Sequence, residues 1–281
     1  MSHEEPRPET GAGRDRTRKR RRMIFGAILA ALVLGGGLFL SLRTANLYSR
    51  LLRGDPDAIA EKPELARFAA SVAKPVYDRR CASCHGADMK GDRSRGVPNL
   101  IDQDWLYGSG RPVEVERTIL YGIRASLPRT WNLADMPAFG QANPYRRYKV
   151  APLSPGQIKD VVEFVRVLER KPADPLMASR GGKIFADTGQ CFDCHSTDGA
   201  GDSAIGAPNL VDDIWLYGDG SRQSVFNSIA HGHAGVCPAW STVLKPGQVR
   251  ALAIYISNLA KPGRSGTARA TAASQQQGRP S

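Results

Sequence analysis

Residues 23–42, MIFGAILAALVLGGGLFLSL, form the longest unbroken apolar run of the chain. Twenty uncharged residues at 1.5 Å per residue span a hydrocarbon core of about 30 Å, so this run predicts a single transmembrane helix. It exceeds the 7–15 apolar residues of a secretory signal, and no small-residue cleavage site follows it, so it is read as a retained anchor. Further along, the pattern changes to helical periodicity. Ser154 and Pro155 supply an N-cap and first-turn proline before Ile158, Val161, Val162, Val165 and Leu168, and Pro246 precedes Val249, Leu252, Ala253, Ile256 and Leu259 in the same way. Leu65–Arg80 and Ala178–Ala186 are also helix-compatible. No alternating strand runs stand out, so an all-α fold with long Gly/Pro-bearing loops is expected. Glu169–Met177, ERKPADPLM, has the prolines of a linker, with Pro172 and Pro175 ending the preceding helix. The terminal stretch 262–281 is polar, low in complexity and expected to be disordered.

The chain also repeats itself. CASCHGAD at Cys81 recurs as CFDCHSTD at Cys191, and VPNLIDQDWLYGSG at Val97 recurs as APNLVDDIWLYGDG at Ala207, each with an offset of 110 residues. After Gly122 and Gly232 the first copy carries nine extra residues, which brings Met136-Pro137-Ala138-Phe139 opposite Cys237-Pro238-Ala239-Trp240. Two copies imply duplicated modules rather than a solenoid. The expected organisation is a basic tail (1–22), a transmembrane helix (23–42), a connector (43–65), a first module (66–171), a linker (172–177), a second module (178–261) and the tail (262–281).

Charge refines the topology more than the function. The formal net charge is +12, but residues 1–22 hold eight Lys/Arg against four Asp/Glu, and residues 261–281 hold four against none. The body is therefore only weakly basic, with no basic face that would point to nucleic acid. The cluster Arg14–Arg22 places the N-terminus in the cytoplasm by the positive-inside rule and everything after Arg43 on the other side, the periplasm of a bacterium.

The chemistry lies in the repeated motif. Cys81-Ala82-Ser83-Cys84-His85 and Cys191-Phe192-Asp193-Cys194-His195 match the attachment motif of c-type haem, in which two thiols form thioethers and the adjacent histidine binds iron. A zinc knuckle would need paired Cys/His ligands within one small domain, and a thioredoxin-like site would need a βαβ unit. A low-spin electron carrier needs a sixth ligand, and Met136 is the natural candidate in the first copy; Met89 lies just after the motif and Met177 in the linker. Pro98 and Pro208 each open a Pro-Asn-Leu, where a backbone carbonyl can accept the proximal histidine Nδ1–H and fix its ring. Trp105, Tyr107, Trp215 and Tyr217 are read as packing rings rather than electron-transfer stations.

With these residues in place, the chain from about Val72 to Ala260 resembles the di-haem subunit, subunit III, of cbb3-type cytochrome c oxidases. The resemblance implies two tandem class I cytochrome c domains with two covalently attached haem c groups. It implies electron transfer from a soluble cytochrome or a quinol-oxidising complex towards the catalytic subunit of a terminal oxidase, rather than catalysis by this chain alone. Carried over by position, the haem-binding residues are Cys81, Cys84, His85 and Met136, then Cys191, Cys194 and His195. The family has a second methionine where this chain has Cys237, and often a histidine where it has Tyr121. Three readings of the second haem's sixth position stand: the Cys237 thiolate, one of His231 and His233, or an open site. A thiolate would also suit a di-haem sulfur-oxidising enzyme of the thiosulfate dehydrogenase kind, and a ligand sensor is a further alternative.

Overall fold

The computed structural model describes residues 11–142 and 151–260, with side chains from residue 18 onward. The expected tail 262–281 and the first ten residues of the basic segment lie outside the described residues. Among the described residues there are ten helices and no strand, only isolated β-bridges. The first helix, α1 (Gly11–Arg53), contains the apolar run, and its window of highest hydropathy is wholly exposed. Ser41 and Thr44 turn their hydroxyls back to the carbonyls of Gly37 and Leu40, both at 2.9 Å, which satisfies these polar groups without water.

From Leu51 onward the chain is a second compact unit. Each half has a long first helix, a one-turn helix at the Cys motif, a helix after the Trp-Leu-Tyr-Gly stretch and a closing helix. In the first half these are α3 (Pro63–Arg80), α4 (Ala82–His85), α5 (Pro112–Tyr121) and α6 (Pro155–Leu168), preceded by the short α2 (Pro56–Ala60). In the second half they are α7 (Pro175–Ala186), α8 (Phe192–His195), α9 (Arg222–His231) and α10 (Pro246–Leu259). The caps explain the boundaries. Ser154 and Gln157 form a capping box at the start of α6, and Asp174 accepts from the Leu176 and Met177 amides, both at 2.9 Å. Pro175 therefore opens α7 instead of ending the preceding helix, because a first-turn proline loses no hydrogen bond.

The halves do not close on themselves. The closing helix α6 packs on α7 and α9 of the second half, while α10 packs on α3, α5 and α2 of the first. The expected boundaries 66–171 and 178–261 therefore cut across both cores. One lobe consists of α2 to α5 with α10, and the other of α7 to α9 with α6. The apolar stripe of α6 (Ile158, Val161, Val162, Val165) joins Phe139, Val225 and Ile229 in one buried cluster. Ion pairs reinforce the exchange: Arg222 of α9 donates to buried Glu163 of α6, and Arg180 of α7 makes a two-pronged contact with Asp160 at 2.7 and 2.8 Å. In the other lobe Arg250 of α10 binds Glu116 of α5 at 2.6 Å and the Gly54 carbonyl at 2.7 Å.

The crossing occurs just after Gly122 and Gly232. Ile123 and Cys237 exchange two backbone hydrogen bonds, of 2.9 and 3.0 Å, and His233 and Met136 do the same at 3.0 and 2.9 Å. Since Ile123 and His233 are repeat equivalents, as are Met136 and Cys237, the two exchanges are images of one another under a pseudo-twofold. The pairing continues, with Phe139 N to Ile229 O and Trp240 N to Ile119 O, both 3.0 Å, and with Gly108 N to Ser203 O and Gly218 N to Arg93 O at 3.0 and 3.1 Å. This is the self-complementary logic of a twofold dimer interface, built within one chain.

Gly232 has φ +64°, and a Cβ there would lie 2.3 Å from the Met136 carbonyl. Gly232→Ala combines left-handed strain with a backbone clash. It should destabilise the unit from Leu51 onward by at least about 1–3 kcal/mol in denaturant unfolding of the haem-loaded chain. Unchanged stability would mean that the crossing is not held this tightly.

Candidate haem sites

Within each motif the cysteines and histidine stand at positions i, i+3 and i+4 of a single helical turn, so all three side chains share a face. The turn is closed by backbone bonds from His85 to Cys81 and from His195 to Cys191, both 2.9 Å. Each histidine ring is then fixed from the other side: His85 Nδ1 lies 3.1 Å from the Pro98 carbonyl and His195 Nδ1 3.0 Å from that of Pro208. A carbonyl only accepts, so Nδ1 carries the proton and Nε2 is left with its lone pair for a metal. Burial pulls both imidazoles below their ordinary pKa, against the opposing pull of the proline carbonyls, and keeps them in the neutral form a metal needs.

The second motif opens into a cavity of about 470 Å³ lined by Cys191, Cys194, His195, Pro208, Trp215 and Met136. That volume lies within the roughly 300–1,000 Å³ typical of small-molecule sites. Its apolar wall comes from α6 and α9, through Val161, Val165, Val225 and Ile229. Two thiols at thioether spacing, a neutral imidazole nitrogen and an apolar slot together fit a covalently bound haem c. His233 adds a buried Nε2 without a hydrogen-bond partner at this cavity, a polar atom suited to a group that brings its own oxygens.

The crossing places the two sulfur-bearing residues, Met136 and Cys237, in the opposite lobes from those that chain order suggests. Met136, expected opposite His85, lies in the cavity of His195. Cys237, expected at the second haem, neighbours Cys81 and Cys84: burial first, then these two thiols, push its own thiol up to about 11. The physical reason is that each segment after α5 and α9 leaves its own lobe before delivering its sulfur. Of the two histidines, His233 lines the second cavity with its ring stacked on Tyr217 at 3.5 Å. His231 is exposed and bonds the Asn227 carbonyl at 2.9 Å, and it does not line that cavity. Met89 is buried core, and Met177 sits in the first turn of α7.

The rings divide between packing and cavity. Tyr107 is buried against Trp131, with centroids 5.4 Å apart, whereas Trp215 lines the second cavity. Sequence reading missed Arg124, which ties the halves together through the Gly235 carbonyl at 2.6 Å while it also holds the Ala134 carbonyl at 2.9 Å and the Tyr107 hydroxyl at 3.1 Å within its own half. Its position in the Gly-Ile-Arg stretch after α5 was visible, but its bond to Gly235 arises only from the crossing. An acidic group also went unnoticed: Asp104, Asp102 and Asp212 interact across the two halves.

Both halves of the chain are similar to known cytochromes. Residues 177–256 match the family model for cytochrome c oxidase, cbb3-type, subunit III, and residues 70–169 match that for cytochrome c. The chain is 35% identical to the cbb3-type cytochrome c oxidase subunit CcoP of Cereibacter sphaeroides, over 76% of this chain and 69% of that protein. It is 36% identical to the subunit FixP of Sinorhizobium medicae, over 77% and 69% of the two chains. With the subunit CcoP of Rhodobacter capsulatus the figures are 38% identity over 75% and 69%. These likenesses lend nothing to the sulfur-oxidising reading.

The acidic group gives a pH prediction. Burial, then Asp212 and Asp102, push the Asp104 carboxyl up to about 6. The folded chain therefore holds a proton that the unfolded chain, with an ordinary Asp pKa near 3.9, has lost, so stability falls as pH rises through that window. Asp104→Asn should flatten the loss between about pH 4 and 6 and leave the variant more stable than wild type at pH 7. Equal slopes in pH-dependent denaturant unfolding would contradict this.

Proposed function

The chain belongs to the cbb3-type cytochrome c oxidase subunit III family, and on that premise we propose that it collects single electrons outside the membrane and delivers them to the oxidase's catalytic subunit. It is a membrane-anchored electron-transfer subunit with two covalently attached haem c groups. The electron donor is a soluble cytochrome c or a quinol-oxidising complex. The cluster Arg14–Arg22 supports a cytoplasmic N-terminus, with both haems in the periplasm.

The observation that carries this reading is the duplicated motif, with a carbonyl-locked histidine in each lobe of one compact unit. When bound, haem c supplies a one-electron ferric/ferrous couple. Cys81 and Cys84, or Cys191 and Cys194, would hold it, and Pro98 or Pro208 orients the histidine whose Nε2 would bind its iron. The apolar walls of α6 and α9 exclude water around the second group, so that a change of charge there is not accompanied by large solvent rearrangement. Each transfer takes one electron in and passes one electron on, and no proton need move.

A tagged chain should co-purify with an oxidase catalytic subunit and support oxygen uptake from a reduced soluble cytochrome c. Cys191→Ala with Cys194→Ala should abolish that uptake while the chain stays membrane-bound. Protease added to spheroplasts should digest the haem unit. Full uptake by the double variant would refute the relay, and a protected haem unit would refute the orientation.

A further inference from the structure

We infer that Cys237 is the sixth ligand of the first haem, the one held by Cys81, Cys84 and His85, and that this haem is the lower in potential of the two. The inference rests on the di-haem relay reading and assigns to it an internal direction. The backbone fixes where the sulfur goes. Cys237 is clamped by two hydrogen bonds to Ile123 as Met136 is clamped by two to His233. Three residues beyond each sulfur, the amides of Trp240 and Phe139 are fixed on equivalent carbonyls, those of Ile119 and Ile229. With the register pinned on both sides, Cys237 faces the first motif as Met136 faces the cavity of His195.

The chemistry of the available donors agrees. The Cys237 sulfur makes only a long 3.8 Å contact to the Pro238 carbonyl, so no strong partner competes for it. Among the described residues from Leu51 onward, the other sulfur and imidazole donors outside the two motifs are Met136 and His233 at the second cavity, His231 exposed on α9, Met177 at the start of α7, and Met89, which follows the first motif and is buried in the core. Cysteine carries its sulfur one atom closer to the backbone than methionine, so ligation would require the 234–238 segment to lie slightly closer to the haem than its methionine-bearing counterpart. Binding forms the Fe–S bond as the S–H bond breaks, the proton passes to solvent, and no electron is transferred. The anionic thiolate favours the ferric state, whereas the neutral thioether of Met136 raises the potential of its haem. An electron given to the pair therefore comes to rest on the second haem.

The test uses the full chain with both haems, its haem content measured, by electron paramagnetic resonance of the ferric protein and by redox titration. The inference expects a low-spin thiolate signal from one haem of the two and two separated midpoint potentials. Cys237→Met should abolish the signal and raise the lower potential while leaving the higher in place, and Met136→Ala should keep the signal. Cys81→Ala with Cys84→Ala, which removes the first haem, should also abolish it. Two haems per chain without a thiolate signal would overturn the inference, as would a signal that survives Cys237→Met or loss of the first haem. Fewer than two haems in the unmodified chain would overturn the di-haem reading itself, and the inference with it.

Discussion

The reciprocal backbone exchange between Ile123 and Cys237 and between His233 and Met136 sets the organisation of the whole haem-bearing unit. Four hydrogen bonds are a modest stabilisation by themselves, about 0.5–1.5 kcal/mol each in net terms. Their importance is geometric. They fix where each chain half leaves its own lobe, and so which helix closes which core and in which lobe each sulfur lies. Deleting one bond would matter less than shifting the register by a residue, because such a shift would move both sulfurs at once.

The exchange also explains why the unit from Leu51 onward is one body rather than two beads on a linker. The core around Phe139, Val161 and Ile229 contains residues from both halves, as does the set of ties that Arg250 makes to Glu116 and Gly54. Neither half owns a complete core, so folding of each lobe requires the other half's closing helix. For an electron relay this has a use: two redox groups are held in a fixed relation without a flexible hinge between them.

Much of this was legible in the sequence. The anchor, the capped helices, the offset of 110, the Cys-x-x-Cys-His turns and the proline carbonyls behind the histidines all arise from local patterns, and local patterns are what residues encode directly. The crossing was not legible, and the reason is physical. When a duplicated unit exchanges equivalent segments, α6 packing on α7 replaces α10 packing on α7, and the contacts required of each residue are nearly the same in either arrangement. The periodicity of Ile158, Val161 and Val165 says that α6 has a buried face but not whose. The same blindness misplaced Met136 and Cys237, since chain order suggested that each sulfur served the motif before it. Arg124 and Asp104 were overlooked for a related reason: each has a partner in the other half, Gly235 for Arg124 and Asp212 for Asp104.

The central claim, that each sulfur is delivered across the crossing, is tested most directly by nuclear magnetic resonance of the ferrous chain with methyl-labelled methionine. A methionine bound to low-spin haem iron shows a methyl resonance displaced far upfield by the ring current, and the chain has only five methionines to distinguish. In a variant lacking the first haem through Cys81→Ala and Cys84→Ala, one displaced methyl should persist and be lost on adding Met136→Ala. If the displaced methyl instead disappears with the first haem and survives removal of the second, Met136 serves His85, and the sulfurs are not exchanged between the lobes.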